Sequence, residues 1–304
     1  MREYYIDLGF KDVRVGMYNA FDFDEDGIPR FRYPFGLAYN IAFICHYALY
    51  HYSLYLKFRR SDDLDVFKHV SNWIVEHGEE TDESLLFPYM FPLTGLSPPW
   101  ISALGQGRVL SVLMRAYELT ENERYFVAAR KAMKPLEIPV THGGLQARFP
   151  DGRVGFEEYP FPKPNLALAG FITSLVGLYD LGEIGREHRA AELFMQGLRS
   201  LESNLHRYDL GYWSAYDLPR RVPTVASTSY HLYHIMQLWA LYEMTGCETF
   251  KRYASKWQGY RKGLRFHVFR GLSLSYRVIG RRESLTYSQV MNLALRRYFK
   301  GRSI

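Results

Sequence analysis

Glu157-Glu158-Tyr159-Pro160, an acidic pair followed by a phenol and a proline, is the most unusual local arrangement in the chain. Pro160 disfavours helix at Tyr159, so the segment is expected to be an extended loop. Carboxyl groups crowded together, or desolvated by the neighbouring Phe149, Phe156 and Phe161, acquire the raised pKa values that suit proton transfer. The alternative is a solvated acidic loop. A second group, Tyr230-His231 with His234, opens an apolar helical pattern and puts both imidazoles on one face. A helix start lined with Tyr and His offers amides and polar side chains to an anion or a hydroxyl. A metal pair would lack a supporting acid or cysteine on that helix, and two core histidines are the alternative. Tyr216-Asp217-Leu218 precedes Arg220 and Arg221, a phenol beside guanidinium groups that can hold a carboxylate bidentately, or else a surface turn. Asp22, Asp24, Asp26 and Gly27 imitate the start of a calcium loop, but its twelfth position is Tyr33, so a hairpin turn is expected. Gly105-Gln106-Gly107 lacks the third glycine and the preceding strand of a dinucleotide fingerprint. No cofactor and no metal are expected.

The elements that would carry these residues show a repeat. Tyr117-Glu118-Leu119, Tyr179-Asp180-Leu181 and Tyr242-Glu243-Met244 recur at intervals of 62 and 63 residues, with a weaker copy at Tyr52-Ser53-Leu54. Each ends an apolar helix and leads through a short polar turn into an amphipathic one. First helices that are apolar around most of their circumference belong inside, and striped second helices outside. Four hairpins, roughly 38–77, 101–134, 165–203 and 229–262, therefore predict a mainly α fold, an incomplete α/α toroid, with a HEAT-like solenoid as the competing arrangement. The linkers Phe87–Trp100, Gly143–Pro164 and Leu210–Pro223 are long and aromatic, and alternations at Leu145, Ala147, Phe149 and at Tyr212, Ser214, Tyr216 predict small β-hairpins at one rim. The expected division is an N-terminal β segment at 1–36, the helical catalytic region at 37–263 and a basic extension at 264–304. That extension carries a strand pair near Leu272–Val278 and a short helix near Ser288–Phe299.

Composition bounds the partners. Among 304 residues, 47% are hydrophobic and 23% charged, which excludes a disordered or collagenous chain. Aromatics reach 16%, suited to a thick core or to a cleft that stacks on flat ligand faces. A formal charge of +6 favours an anionic partner without naming it. Cys45 and Cys247 form no metal or disulfide framework, Met1 to Phe10 shows no secretory signal, and Leu166 to Tyr179 is too short and too interrupted to span a bilayer. A cytoplasmic protein without a membrane segment is expected.

From about Trp100 to Gly263 the chain resembles the C-terminal helical domain of the D-glucuronyl C5-epimerases, which convert glucuronate to iduronate in heparan-type chains. The resemblance lies in SALGQGRVLSVLMRAYELT at 102–120, FEEYP at 156–160, GFITSLVGLYDL at 170–181, AYDL at 215–218 and YHLYHIMQL at 230–238, with YALYHYS at 47–53 as a shorter match. It implies that Glu158 and Tyr159 are the catalytic acid and tyrosine, that Tyr230 is a second catalytic tyrosine, and that Tyr216 and Tyr52 contact substrate. His46, Arg220, His231, His234, Trp100 and Gln106 complete the expected substrate-binding set. The chain departs from the family pattern at Pro219, where an arginine is usual, at Ser229, where an acid is usual, at His46 in place of glutamine and at Ala169 in place of asparagine. The family's central β-domain and membrane anchor are not recognised in these residues.

The reaction so implied inverts carbon 5 of a glucuronate residue in an acidic polysaccharide, with no nucleic-acid or membrane partner. It needs two acid/base groups on opposite faces of the sugar, here Tyr159 and Tyr230, with Glu158 polarising Tyr159 or acting as base. Positive charge must offset the dianionic intermediate, a task assigned to Arg220 with His231. A polyuronate lyase, a glycoside hydrolase with two separated carboxyls and a non-catalytic polyanion-binding protein are the alternatives. The basic tail is either a solvated surface or a homodimer contact.

Overall fold

The computed structural model describes residues 2–6, 21–93, 95–218 and 224–261. Helical hairpins dominate, as the repeat predicts. The pairs are α1 (Ile41–Phe58) with α2 (Ser61–His77), α3 (Ala103–Thr120) with α4 (Glu123–Met133), α5 (Leu168–Glu183) with α6 (His188–Asn204), and α7 (Thr228–Thr245) with α8 (Glu248–Tyr260). Local signals set the boundaries. Asn40, Ser102, Asn122 and Ser227 each accept a backbone N–H of the following helix, which satisfies donors that a helix start cannot pair internally. Gly246 ends α7 in the left-handed region at φ 68°.

The chain divides into two compact units, one formed by Met1–Leu166 with Gly170–Leu201, the other by Ala167–Ala169 with the residues from Glu202 onward. In the first unit α3 is buried along most of its length, from Ala103 to Ala116, whereas α4 buries one stripe, Tyr125, Ala128, Ala129, Ala132 and Met133. Inner and outer roles follow the expected asymmetry. A three-stranded antiparallel sheet, β1 (Phe21–Phe23), β2 (Pro29–Tyr33) and β3 (Gly36–Tyr39), precedes α1. At its first turn Asp24 accepts the amides of Asp26 and Ile28 and the phenol of Tyr39, so the acidic run is a hairpin turn as expected. Two short pairs follow, β4 (Glu79–Glu80) with β5 (Leu85–Leu86), and β6 (Gln146–Arg148) with β7 (Val154–Phe156), the second being the hairpin predicted in the 143–164 linker. The 210–223 linker differs from prediction. Its described part has only the isolated bridges Asp209 to Ser214 and Ala215 to Val225, because its backbone pairs with separated segments rather than with one adjacent strand.

Glycines decide how closely the inner helices approach. A Cβ on Gly107 would lie 2.6 Å from the Ser174 Cα and 2.7 Å from the Thr173 carbonyl oxygen, and one on Gly177 would overlap the Gly107 carbonyl. Helices α3 and α5 thus touch backbone to backbone. Further along, Arg115 Nη1 reaches Asp180 Oδ2 at 2.6 Å with both side chains fully buried. Contacts that advance together along both helices make them parallel. The start of α1 joins the same end, since Ile41 packs where a Gly105 side chain would stand and Arg108 Nη1 donates to the Ala42 carbonyl at 2.6 Å.

Backbone contacts of this kind have no side chain to yield. Gly177→Ala is therefore expected to lower stability by about 3 kcal/mol, whereas Gly259→Ala, in helix α8 with open space around it, should raise it by about 0.5 kcal/mol. Urea midpoints of the two variants check this, and equal midpoints would contradict the close crossing.

Candidate active site

In the first unit the acid–phenol segment is delivered by the β6–β7 hairpin and pinned at three points. The Glu157 amide donates to the Leu145 carbonyl at 2.8 Å, its carbonyl accepts the Ala103 amide at 3.0 Å, and its buried carboxylate accepts the Leu166 amide at 3.0 Å. Glu157 is thereby a staple. Its neighbour Glu158, 4% exposed, places Oε2 3.0 Å from the Gly170 amide in the first turn of α5. A helix start is where unpaired amides and the positive end of the macrodipole meet a carboxylate most favourably. Gly170 is what permits it, because a Cβ there would overlap the Glu158 Cβ.

Tyr159 follows, half-buried, its ring 6.0 Å from Trp100 and 6.1 Å from Phe161. Trp100 stacks on Tyr89 at 4.2 Å and donates its indole N–H to the Phe91 carbonyl at 2.9 Å. Tyr89 is a residue that the sequence reading did not single out, although it lies in a linker marked as aromatic. Burial above all, with Tyr33 and Glu158 adding, pushes its phenol far up, so it stays protonated. His46 is 4% exposed, and burial, with Arg108 adding, pushes its imidazole down to about 3. It is a neutral group at working pH.

Two expected substrate contacts have other tasks in this structure. The Gln106 amide is fully engaged, accepting the Phe87 N–H and donating to the Leu85 and Ala132 carbonyls, so it ties α3 to its surroundings. Tyr52 has no exposed surface, packs on Phe67 at 4.8 Å and donates to the Arg2 carbonyl at 3.1 Å. Burial raises its phenol to about 12. Its place on the inner face of α1 explains both.

In the second unit Tyr230 occupies the first turn of α7, 36% exposed, with its amide on the Ser227 hydroxyl at 3.2 Å. Its ring meets Tyr216 edge to face at 4.7 Å. Tyr216 is held by its backbone, donating to the Thr224 carbonyl at 2.6 Å and accepting the Leu168 amide at 2.9 Å. His231 and His234 are fully buried rather than open to a ligand at the helix start. Ser214 Oγ lies 2.8 Å from His231 Nδ1 and 3.0 Å from His234 Nδ1, and the Trp213 ring stacks on His231 at 3.7 Å. Burial pushes His231 down to about 3 and His234 well below its ordinary value. Arg220 and Arg221, like the predicted strands and helix of the tail, lie outside the described residues. Among the described residues no group of three or more His, Cys, Asp and Glu side chains could hold a metal ion, and no helix is long and apolar enough to cross a membrane.

Four imidazoles among the described residues have depressed folded-state pKa values, the deeply buried His46, His231 and His234 and the partly buried His51, and the first three set a sign for acid stability. Unfolded histidines bind protons below about 6.5 while these stay neutral, so their stabilisation is complete above that pH and is lost as pH falls toward about 3. The urea midpoint should drop steeply from pH 6.5 to pH 4, with His46, His231 and His234 together taking up about three protons on unfolding and His51 adding to them. A flat midpoint across that range would show that the imidazoles are not buried neutral.

Residues 81–259 match the family described as D-glucuronyl C5-epimerase C-terminus. A D-glucuronyl C5-epimerase of Caenorhabditis elegans is 34% identical over 186 residues, covering 56% of this chain and 30% of that protein. An uncharacterised protein of Methanocaldococcus jannaschii is 37% identical over 177 residues, covering 57% of this chain and 56% of its own length. The chain thus spans less than two thirds of these curated relatives. Among solved structures, a cellobiose 2-epimerase from Bacillus thermoamylovorans has a TM-score of 0.52 at 14% identity, covering 71% of this chain and 59% of that one. A family 76 glycoside hydrolase, an α-mannanase from Bacteroides thetaiotaomicron, has a TM-score of 0.50 at 14% identity, covering 80% and 64%. These likenesses establish the α/α-toroid fold class expected from the hairpin repeat. With the family match spanning more than half the sequence, the chain belongs to the D-glucuronyl C5-epimerase C-terminus family.

Proposed function

We propose that this protein epimerises carbon 5 of D-glucuronate residues in an acidic polysaccharide, giving L-iduronate. The observation that carries the reading is the Glu158–Tyr159 pair. A carboxylate docked on a helix-start amide and followed in sequence by a half-buried phenol, inside the region matched to the epimerase family, is equipment suited to moving a proton at an acidic carbon.

Carbon 5 of a uronate carries its hydrogen next to the carboxylate, so removal of that proton spreads charge into the carboxyl group. Return of a proton to the same face restores glucuronate, and return to the opposite face yields iduronate. In this reading Tyr159, polarised by Glu158, and Tyr230 are the two proton-transfer groups. Tyr216 supports Tyr230 through their edge-to-face contact. Arg220 supplies the positive charge that a dianionic intermediate needs. Trp100 offers an aromatic wall for an apolar sugar face. The reading needs no cofactor.

Incubation with unsulfated glucuronate polymer in deuterated water, followed by NMR, should show label entering carbon 5 together with iduronate signals. Tyr159→Phe and Tyr230→Phe should each slow the exchange by about a hundredfold or more while leaving helicity intact. Normal exchange in both variants would overturn the two-tyrosine assignment. An unsaturated product with new ultraviolet absorbance would replace the epimerase reading with a lyase.

A further inference from the structure

The hydrogen bonds around Ser214 determine the protonation of two imidazoles that the proposed mechanism leaves unexplained. The Ser214 backbone N–H points at His231 Nδ1 at 3.2 Å, and a backbone amide can only donate. His231 Nδ1 is therefore an acceptor, without a hydrogen. Its other nitrogen, Nε2, lies 3.1 Å from the Trp257 carbonyl, which can only accept, so Nε2 carries the hydrogen. Neutrality of the ring, forced by its burial, agrees with one proton and one lone pair.

That assignment propagates through the serine. Ser214 Oγ stands 2.8 Å from the bare His231 Nδ1, a distance that two acceptors would not tolerate, so the hydroxyl hydrogen is directed at His231. The oxygen then has only lone pairs to offer His234 Nδ1 at 3.0 Å, so that nitrogen must be the donor. His234 is left with a bare Nε2, buried and without a hydrogen-bond partner among the described residues. One hydroxyl thus sets two rings in opposite tautomers, and both rings belong to α7, the helix that carries Tyr230 in its first turn. Ser214 itself belongs to the segment that carries Tyr216, and the Ala226 amide donates to its carbonyl at 3.0 Å.

We propose that Ser214 is a positioning residue of the proposed epimerase: its hydroxyl, clamped between His231 and His234 in opposite tautomers, locks the 208–217 segment onto α7 and so holds Tyr216 against Tyr230. The inference rests on the functional reading only for its catalytic consequence. The tautomers follow from hydrogen-bond chemistry alone. Replacing the serine frees the segment to shift on the helix, and a displacement of an ångström at a proton-transfer group costs turnover more than binding.

The test has two arms on the full chain. Nitrogen-15 imidazole NMR should show His231 protonated at Nε2 only and His234 at Nδ1 only. Identical tautomers for the two rings would overturn the proposal. In the second arm, carbon-5 deuterium exchange by Ser214→Ala should lose about tenfold or more in kcat with KM changed less than about twofold, and Ser214→Thr, which keeps the hydroxyl, should recover most of it. Urea midpoints taken alongside separate a positioning loss from partial unfolding. Should Ser214→Ala turn over like the wild type, or Ser214→Thr fail to recover while remaining folded, the positioning role is excluded. If the wild type itself shows no exchange on any uronate polymer, the functional reading falls while the tautomer result stands or fails on its own.

Discussion

The backbone crossing of α3 and α5 is the constraint on which the first unit depends. Gly107 and Gly177 remove the side chains that would hold the two helices apart, and close-packed atoms then replace what would otherwise be a layer of side chains. Once the helices run side by side in the same direction, Arg115 and Asp180 fall within 2.6 Å of each other, fully buried. Such a pair adds little net stability, because both charges have lost their water. Losing one partner alone would nevertheless cost about 3–5 kcal/mol, so the pair makes the register hard to change.

The same crossing sets the position of the start of α5, and with it the place where Glu158 docks. Gly170 admits the carboxylate to the helix-start amide, while Gly197 leaves room first for Leu175 and, less tightly, for Phe156, the residue that ends the strand leading to the acid. Chemistry and packing are thus coupled through glycines. The Glu158 carboxylate is held by a helix-start amide and the Tyr159 ring lies among aromatic walls, a fixed arrangement of the kind preorganised sites require. In the second unit the corresponding work falls to a hydroxyl and two buried imidazoles, which trade solvation for a fixed geometry around Tyr216 and Tyr230.

Much of this was legible in the sequence where the cause is local. Periodicity located the four helix pairs to within a few residues, and caps such as Ser102 and Ser227 mark their starts. The acid–phenol loop stood out because a proline and two carboxylates are conspicuous together. What could not be read depends on distant partners. Gly105-Gln106-Gly107 invited comparison with a nucleotide motif, yet Gly107 serves a helix crossing and Gln106 ties three backbone groups together. Tyr52 and the two histidines of α7 carry types suited to ligand binding, but their helix faces point inward and burial decides their state. Tyr89 and Ser214 carry no local signal, since each matters only through a neighbour far along the chain. Arg220 lies outside the described residues, so the clamp assigned to it stands as a proposal.

The central claim is that the docking of Glu158 on the start of α5 sets up proton transfer, and Gly170→Ala tests it most directly. The added methyl overlaps the Glu158 Cβ and must displace that side chain without touching either tyrosine's own chemistry. The measurement is carbon-5 deuterium incorporation into a glucuronate oligosaccharide by the folded variant. The account predicts a loss of about a hundredfold in kcat. Exchange at the wild-type rate in a Gly170→Ala protein of native helicity would contradict it.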